Sequence, residues 1–184
     1  LSSKDGKLFQ EDIEKSCEKL NIFYDRIKDQ YIPPELRSKI PVVKNKYDCY
    51  IFGNQYLFPV ELKSTQDNKL SLSESIVKDH QIKYLQWARK FKYTIPGFIV
   101  NFRSFNNRTF FIHIDDFVEY KEIAVNKPKE HKYKNKINKS SIPFLICEEI
   151  GLEIKYYLKR SRYHYCIDEF INEAVERWGL KNKL

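Results

Sequence analysis

The sequence predicts an α/β (α+β) domain with a central mixed β-sheet flanked by helices, and three observations carry that expectation. Apolar residues recur at helical spacing near both ends of the chain. Aromatic and β-branched runs bounded by turn signals lie between them. The resulting order is helix, strands, helix, strand, strand, helix.

The first helix is expected over residues 6–20, where Leu8 or Phe9, Ile13, Cys17 and Leu20 fall on one face. Residues 21–46 contain Pro33-Pro34 and Pro41, which interrupt regular structure and predict a connecting loop. Tyr47–Phe52 and Tyr56–Val60 read as two strands joined by a turn at Gly53-Asn54. A polar turn follows at Gln66–Lys69, then a helix start within Ser71–Glu74 and a helix from about Ser75 to Phe91. Pro96-Gly97 closes that connection. Phe98–Phe102 is nearly continuously apolar, as a strand buried on both faces would be. Asn106–Arg108 is a turn signal, Thr109–Ile114 a strand, and Asp115 or Asp116 begins a short helix through Tyr120. Lys127–Lys139 is dense in lysine and predicts a mobile basic loop. A short helix is expected over Ile142–Ile150, ending near Gly151, and an amphipathic one over Asp168–Trp178.

At 184 residues the chain has the length of one domain, 1–184, with a real core. Thirteen Tyr and thirteen Phe against five Gly argue against disorder. The net charge of +8 suits a polyanionic partner, nucleic acid above all. No apolar run reaches the length of a membrane span and no signal sequence opens the chain, so a cytoplasmic setting and no membrane partner are expected. Cys17, Cys49, Cys147 and Cys166 show no CxxC pairing, which argues against a zinc site and for a reduced compartment.

The chemistry-bearing pattern is Asp48, then Glu61-Leu62-Lys63. Glu61 and Lys63 are two apart, so on a strand they share a face. If the two strands pair, Asp48 comes beside Glu61. Two carboxylates that close repel unless a cation lies between them, and a hard divalent ion such as Mg²⁺ takes oxygen ligands while keeping waters for chemistry. A metal nuclease needs such ligands, with the Leu62 carbonyl as a further oxygen, and a lysine to orient water and balance charge on phosphate. Downstream, Lys78-Asp79-His80-Gln81 would place an amide and an imidazole at the start of the following helix. The first helix adds Gln10, Glu11 and Glu14.

In combination these residues are recognisable. Gly6–Ile13, Tyr24–Asp29, Asp48-Cys49, Phe58–Thr65, Asp79–Ile82, Gly97–Arg103, Phe111–Ile114 and Gly151–Tyr165 follow one another in a family-like order. The chain resembles the RecU-type Holliday-junction resolvases, the short phage-borne members especially, in the PD-(D/E)xK nuclease superfamily. The resemblance implies a restriction-endonuclease-like fold and Mg²⁺ as cofactor, with Mn²⁺ substituting. It implies Asp48 and Glu61 as metal ligands, Lys63 as catalytic lysine, and Gln81 as support for the metal or its water. Arg26, Thr65 and His80 become accessory or DNA-contacting, with Arg103, Arg160 and Arg162 as further contacts. One position departs: relatives carry Glu where this chain has Gln10, and Glu11 is the neighbouring acid that a shifted helix would bring to the metal. The implied partners are four-way-junction DNA, a second copy of the chain and recombination proteins. Rival expectations are another PD-(D/E)xK endonuclease of repair or restriction type, a catalytically weakened junction-binding protein, and a basic protein-interaction module.

Overall fold

The structure is a computed structural model that describes residues 3–27, 33–36 and 45–180. The connection expected over 21–46 therefore lies partly outside the described residues, as do Lys28 and Asp29 of the family-like pattern.

Helix α1 (Ser3–Lys19) leads into strand β1 (Phe23–Arg26). After a one-turn 3₁₀ segment (Pro34–Leu36) come β2 (Cys49–Gly53), β3 (Tyr56–Thr65) and β4 (Lys69–Ser71). Helix α2 (Asp79–Ala88), β5 (Gly97–Phe102), β6 (Arg108–His113) and α3 (Ile114–Asn126) follow. The chain ends through β7 (Ser141–Pro143), α4 (Phe144–Ile150), β8 (Leu152–Glu153), β9 (Tyr156–Lys159), β10 (Arg162–Tyr165) and α5 (Ile167–Trp178). The main sheet runs β1-β2-β3-β5-β6-β8. It is mixed, because β3 pairs parallel with β5 while the remaining neighbours are antiparallel. The expected α/β architecture, a central mixed sheet between helices, is the one observed.

Alternation along the strands divides the core in two. Cys49, Ile51, Phe58, Val60, Leu62 and Ile99 face α1 and α5, where Phe9, Ile13, Cys17, Phe170 and Ala174 close over them. Phe98, Val100, Phe110 and Ile112 face α2, α3 and α4, where Leu85, Phe117, Tyr120 and Ile146 cover them. With Val60 and Leu62 committed to the α1 side, the period of two sends Glu61 and Lys63 to the α2 side.

Several expectations shift, each for a local reason. Helix α2 starts at Asp79 rather than near Ser75. The Ser71, Ser73 and Ser75 hydroxyls bond one another and the Ser73 amide, holding a non-helical turn. It stops at Ala88 because Thr94 Oγ1 donates to the Ala88 and Phe91 carbonyls (2.6 and 2.8 Å). Helix α3 runs past Tyr120 to Asn126, since Phe117, Tyr120 and Ala124 continue one buried face, and Lys127 ends it in the left-handed region at φ 46°. The basic segment 127–139 has no helix or strand, as expected of a loop, and three contacts tie it to the domain. Tyr133 is buried edge-on to Tyr120 with ring centroids 5.5 Å apart. Lys132 pairs with Glu119 at 2.5 Å, and the Lys134 amide donates to Glu149 at 2.9 Å.

Candidate active site

Pairing of β2 with β3 sets Cys49 against Val60, so the preceding Asp48 stands opposite Glu61. At this end of the ladder the Asp48 side chain joins the backbone: its Oδ2 accepts from the Leu62 amide at 2.8 Å, while the Asp48 amide donates to the Val60 carbonyl at 3.2 Å. These bonds fix the carboxylate beside Glu61, which is 1% exposed. Burial first, then the Asp48 charge, push the Glu61 carboxyl up from its ordinary 4.5 to about 8, with Lys63 pulling the other way.

Lys63, one step of the pleat along β3, donates from Nζ to Glu61 Oε2 at 3.2 Å and to Gln81 Oε1 at 3.1 Å. The Gln81 Nε2 donates to the same Glu61 oxygen at 2.5 Å. Gln81 occupies the third position of α2, where its Oε1 also accepts from the Lys78 amide at 3.1 Å. That is half of a capping box, so the bond that starts α2 also aims the amide at the centre. With two donors at Oε1 and an acceptor at Nε2, the amide has a single consistent orientation. The structure thus brings Asp48, Glu61, Lys63 and Gln81 together on the α2 face of the sheet.

Other expected site residues lie elsewhere. Glu11 is not in this cluster: α1 packs on the opposite face, and the Glu11 carboxylate pairs with Arg162 Nη2 at 3.0 Å. Arg162 also meets the buried Asp12 at 2.6 Å. Gln10, one residue and about 100° of helix rotation away, accepts from Arg26 Nη2 at 2.6 Å. Arg103 donates to Ser64 Oγ (3.2 Å) and to the Asp5 carbonyl (2.9 Å), which ties it to the start of α1. Thr65 is buried, its hydroxyl accepting from the Asp67 amide at 3.1 Å in the β3–β4 turn. His80 is half-buried on the first turn of α2, edge-on to Tyr84. Arg160 is exposed in the β9–β10 turn. Tyr165 is buried edge-on to Phe9.

Sequence reasoning passed over the polar set directly behind Lys63. Ser64 Oγ donates to Asn101 Oδ1 at 3.0 Å, and Asn101 Nδ2 donates to Asn107 Oδ1 and Thr109 Oγ1, both at 2.9 Å. Asn107 Nδ2 continues the chain to the Tyr165 hydroxyl at 2.9 Å. All five side chains are buried, so the network stiffens the strand that carries Lys63. The legible signal was an Asn inside the otherwise apolar run Phe98–Phe102.

The donor set can be tested against the implied Mg²⁺. Two abutting carboxylates, one fully buried and holding its proton to about pH 8 without a cation, fit a hard divalent ion that retains water ligands. Among the described residues no cluster of three or more His, Cys, Asp or Glu side chains is arranged to hold a metal, so protein carboxylates would fill only part of its shell.

No family model matches the chain. Among solved structures, Hjc, a Holliday junction resolvase from Archaeoglobus fulgidus, is similar at a TM-score of 0.48 and 15% identity over 80% of this chain and 95% of that one. Among the described residues no helix is long and apolar enough to cross a membrane. The SPbeta prophage-derived uncharacterized protein YotM of Bacillus subtilis (strain 168) is 44% identical over 182 residues, 99% of this chain and 92% of that protein, and the chain belongs to its family.

Proposed function

We propose that the protein is a Mg²⁺-dependent endodeoxyribonuclease that cuts branched DNA, four-way junctions in particular, by phosphodiester hydrolysis. The observation that carries the nuclease reading is the convergence of Asp48, Glu61, Lys63 and Gln81 on one sheet face, two carboxylates with an ammonium held between Glu61 and an amide. Preference for junctions rests on the sequence resemblance to RecU-type resolvases, and the excess positive charge is in keeping with a polyanionic substrate.

Asp48 and Glu61 would hold the ion, with the Leu62 carbonyl as a third oxygen. When bound, the ion supplies Lewis acidity and a water of lowered pKa. Lys63, fixed by its two acceptors, would place its ammonium against the phosphate oxygen on which charge builds. Gln81 would keep Lys63 from folding back onto Glu61 alone and would hold Glu61 in its ion-facing position. A bond forms from water oxygen to phosphorus and the P–O3′ bond breaks, leaving a 5′-phosphate. Glu11 keeps Arg162 in place, and Gln10 keeps Arg26, so neither is needed as a ligand in this reading.

Cleavage of a four-way junction, a flap and a linear duplex of the same sequence tests the proposal. Preferential Mg²⁺-dependent cutting of the junction is expected. Equal cutting of all three retains the nuclease and removes the junction preference, pointing to a repair- or restriction-type enzyme. Junction binding without any cutting would mark a DNA-binding protein that has kept only the architecture.

A further inference from the structure

Helices α2 and α3 cover only the middle of the sheet on the active-site face. Toward the β1 edge the same face stays open among the described residues, as a groove of about 490 Å³. Its floor is Tyr50, Leu57 and Pro59 from β2 and β3. One wall is Phe23 of edge strand β1, and the other is Trp87 and Phe91 of α2 and its following turn. Phe23 is 59% exposed, Trp87 46% and Phe91 50%. Register places Phe23 opposite Phe52, so that ring, also exposed, extends the patch.

We infer that this aromatic face is the surface through which two copies of the chain associate. Four aromatic rings, each about half exposed, present roughly 400 Å² of apolar surface if a full ring side chain carries about 200 Å². The floor residues add to that, and a stable interface takes about 800 Å² from each partner. Apolar patches of this size are often functional, and its aromatic, charge-poor composition is that of an interface core. The charges favour self-association over a polyanion. Among the described residues the groove lining holds one carboxylate, Asp25, and no basic side chain. Lys46 stands at the opposite wall with its Nζ 4.7 Å from the Trp87 ring centroid. An isologous contact, in which a patch meets its own copy, needs both signs on that patch, and DNA would meet Asp25 with repulsion. The choice of a second copy, over another protein, rests on the nuclease reading: one chain carries one centre, and opposed strands need two. The groove also adjoins that centre, since Tyr47 and Tyr50 flank Asp48 in sequence and line it.

The test compares the wild-type chain with Phe23→Glu, Trp87→Glu and, as a control, Leu145→Glu, which alters a comparably exposed residue on α4. Light scattering after size exclusion gives the mass, circular dichroism confirms folding, and cleavage of a supercoiled plasmid carrying an extruded cruciform gives the products. The wild type and the Leu145 variant are expected at twice the 22.2 kDa chain mass, and both groove variants at the single mass with an unchanged spectrum. The wild type should give linear plasmid, and the groove variants only nicked circles. A monomeric wild type at high micromolar concentration overturns the inference, as does a dimer that survives both folded groove variants. Loss of DNA binding at unchanged dimer mass also overturns it and assigns the groove to nucleobases. Masses as expected with no cleavage by the wild type leave the interface standing and remove the nuclease reading.

Discussion

Replacing Glu61 by Gln should stabilise the ion-free protein at neutral and alkaline pH while abolishing cleavage. The carboxyl rises from 4.5 to about 8, chiefly through burial and then through the Asp48 charge. For an acid whose folded pKa is raised, the sign follows from proton counting. Below about pH 4.5 the group is protonated in both states and costs nothing. Between 4.5 and about 8 the unfolded chain has released a proton that the fold retains, so stability falls as pH rises. At about 1.4 kcal/mol per pH unit, that window amounts to on the order of 5 kcal/mol by pH 8. The amide of Gln at position 61 can still accept from Lys63 and Gln81 through its oxygen, and it removes the charge. Urea unfolding of wild type and Glu61→Gln in EDTA, from pH 5 to 8.5, measures the difference. The two stabilities should agree most closely at pH 5 and diverge steadily toward pH 8, the variant being the more stable. Added Mg²⁺ should restore the wild type at pH 8 and leave the variant unchanged. Parallel curves across that range, or a variant less stable at pH 8, would refute the reasoning about a buried carboxylate pair.

Gln81→Ala removes both the Lys63 acceptor and the Glu61 donor, so cleavage should drop by about 10²-fold with little change in DNA affinity, as single-turnover kinetics and a binding titration would show. His113 titrates in the opposite sense to Glu61. Its pKa is lowered by burial from 6.5 to about 4, so stability is lost as pH falls through that interval, by on the order of 3 kcal/mol; His113→Asn should flatten the acid limb of the pH–stability curve. Tyr133→Ala should cost about 3 kcal/mol and open residues 127–139 to trypsin, read by mass spectrometry of limited digests. Gly97→Ala should be destabilising by about 2 kcal/mol in urea, because a Cβ there would lie 2.4 Å from the Ile112 carbonyl and 2.7 Å from the Phe111 ring.

The sheet's centre was legible because its strands are long and strongly patterned: β3, β5 and β6 carry runs whose apolar content leaves no competing period. The facing strands of Asp48 and Glu61 were legible, but their register depends on a loop one residue further on than expected: Gly53 pairs with Tyr56 and the turn is Asn54-Gln55, both at positive φ, whereas a two-residue loop at Gly53-Asn54 would set Asp48 against Pro59. Strands β4 and β7 to β10 were not legible. They are two to four residues long; β4, β7 and β8 gain their pairing from partners distant in sequence, as when Leu70 meets Ile142, and β9 and β10 form a short hairpin with each other. The helix ends were set by side chains that bond the backbone, Gln81 and Thr94 among them, which a period cannot reveal. The contacts that tie down the basic segment were not legible either: lysines dominate its composition, while Tyr133, Lys132 and the Lys134 amide meet residues of α3 and α4. Glu11 was drawn toward the centre by its place in the family-like pattern; Arg162, 151 residues away, holds it instead.

The account rests on Asp48, Glu61 and Lys63 forming a cation-dependent nuclease centre. Incubation of a labelled four-way junction with Mg²⁺ and either wild type, Asp48→Asn or Lys63→Ala tests it most directly. The account predicts paired incisions by the wild type that stop on adding EDTA, and none by either variant, although both still bind the junction. Cleavage that survives both substitutions, or persists in EDTA, would contradict it.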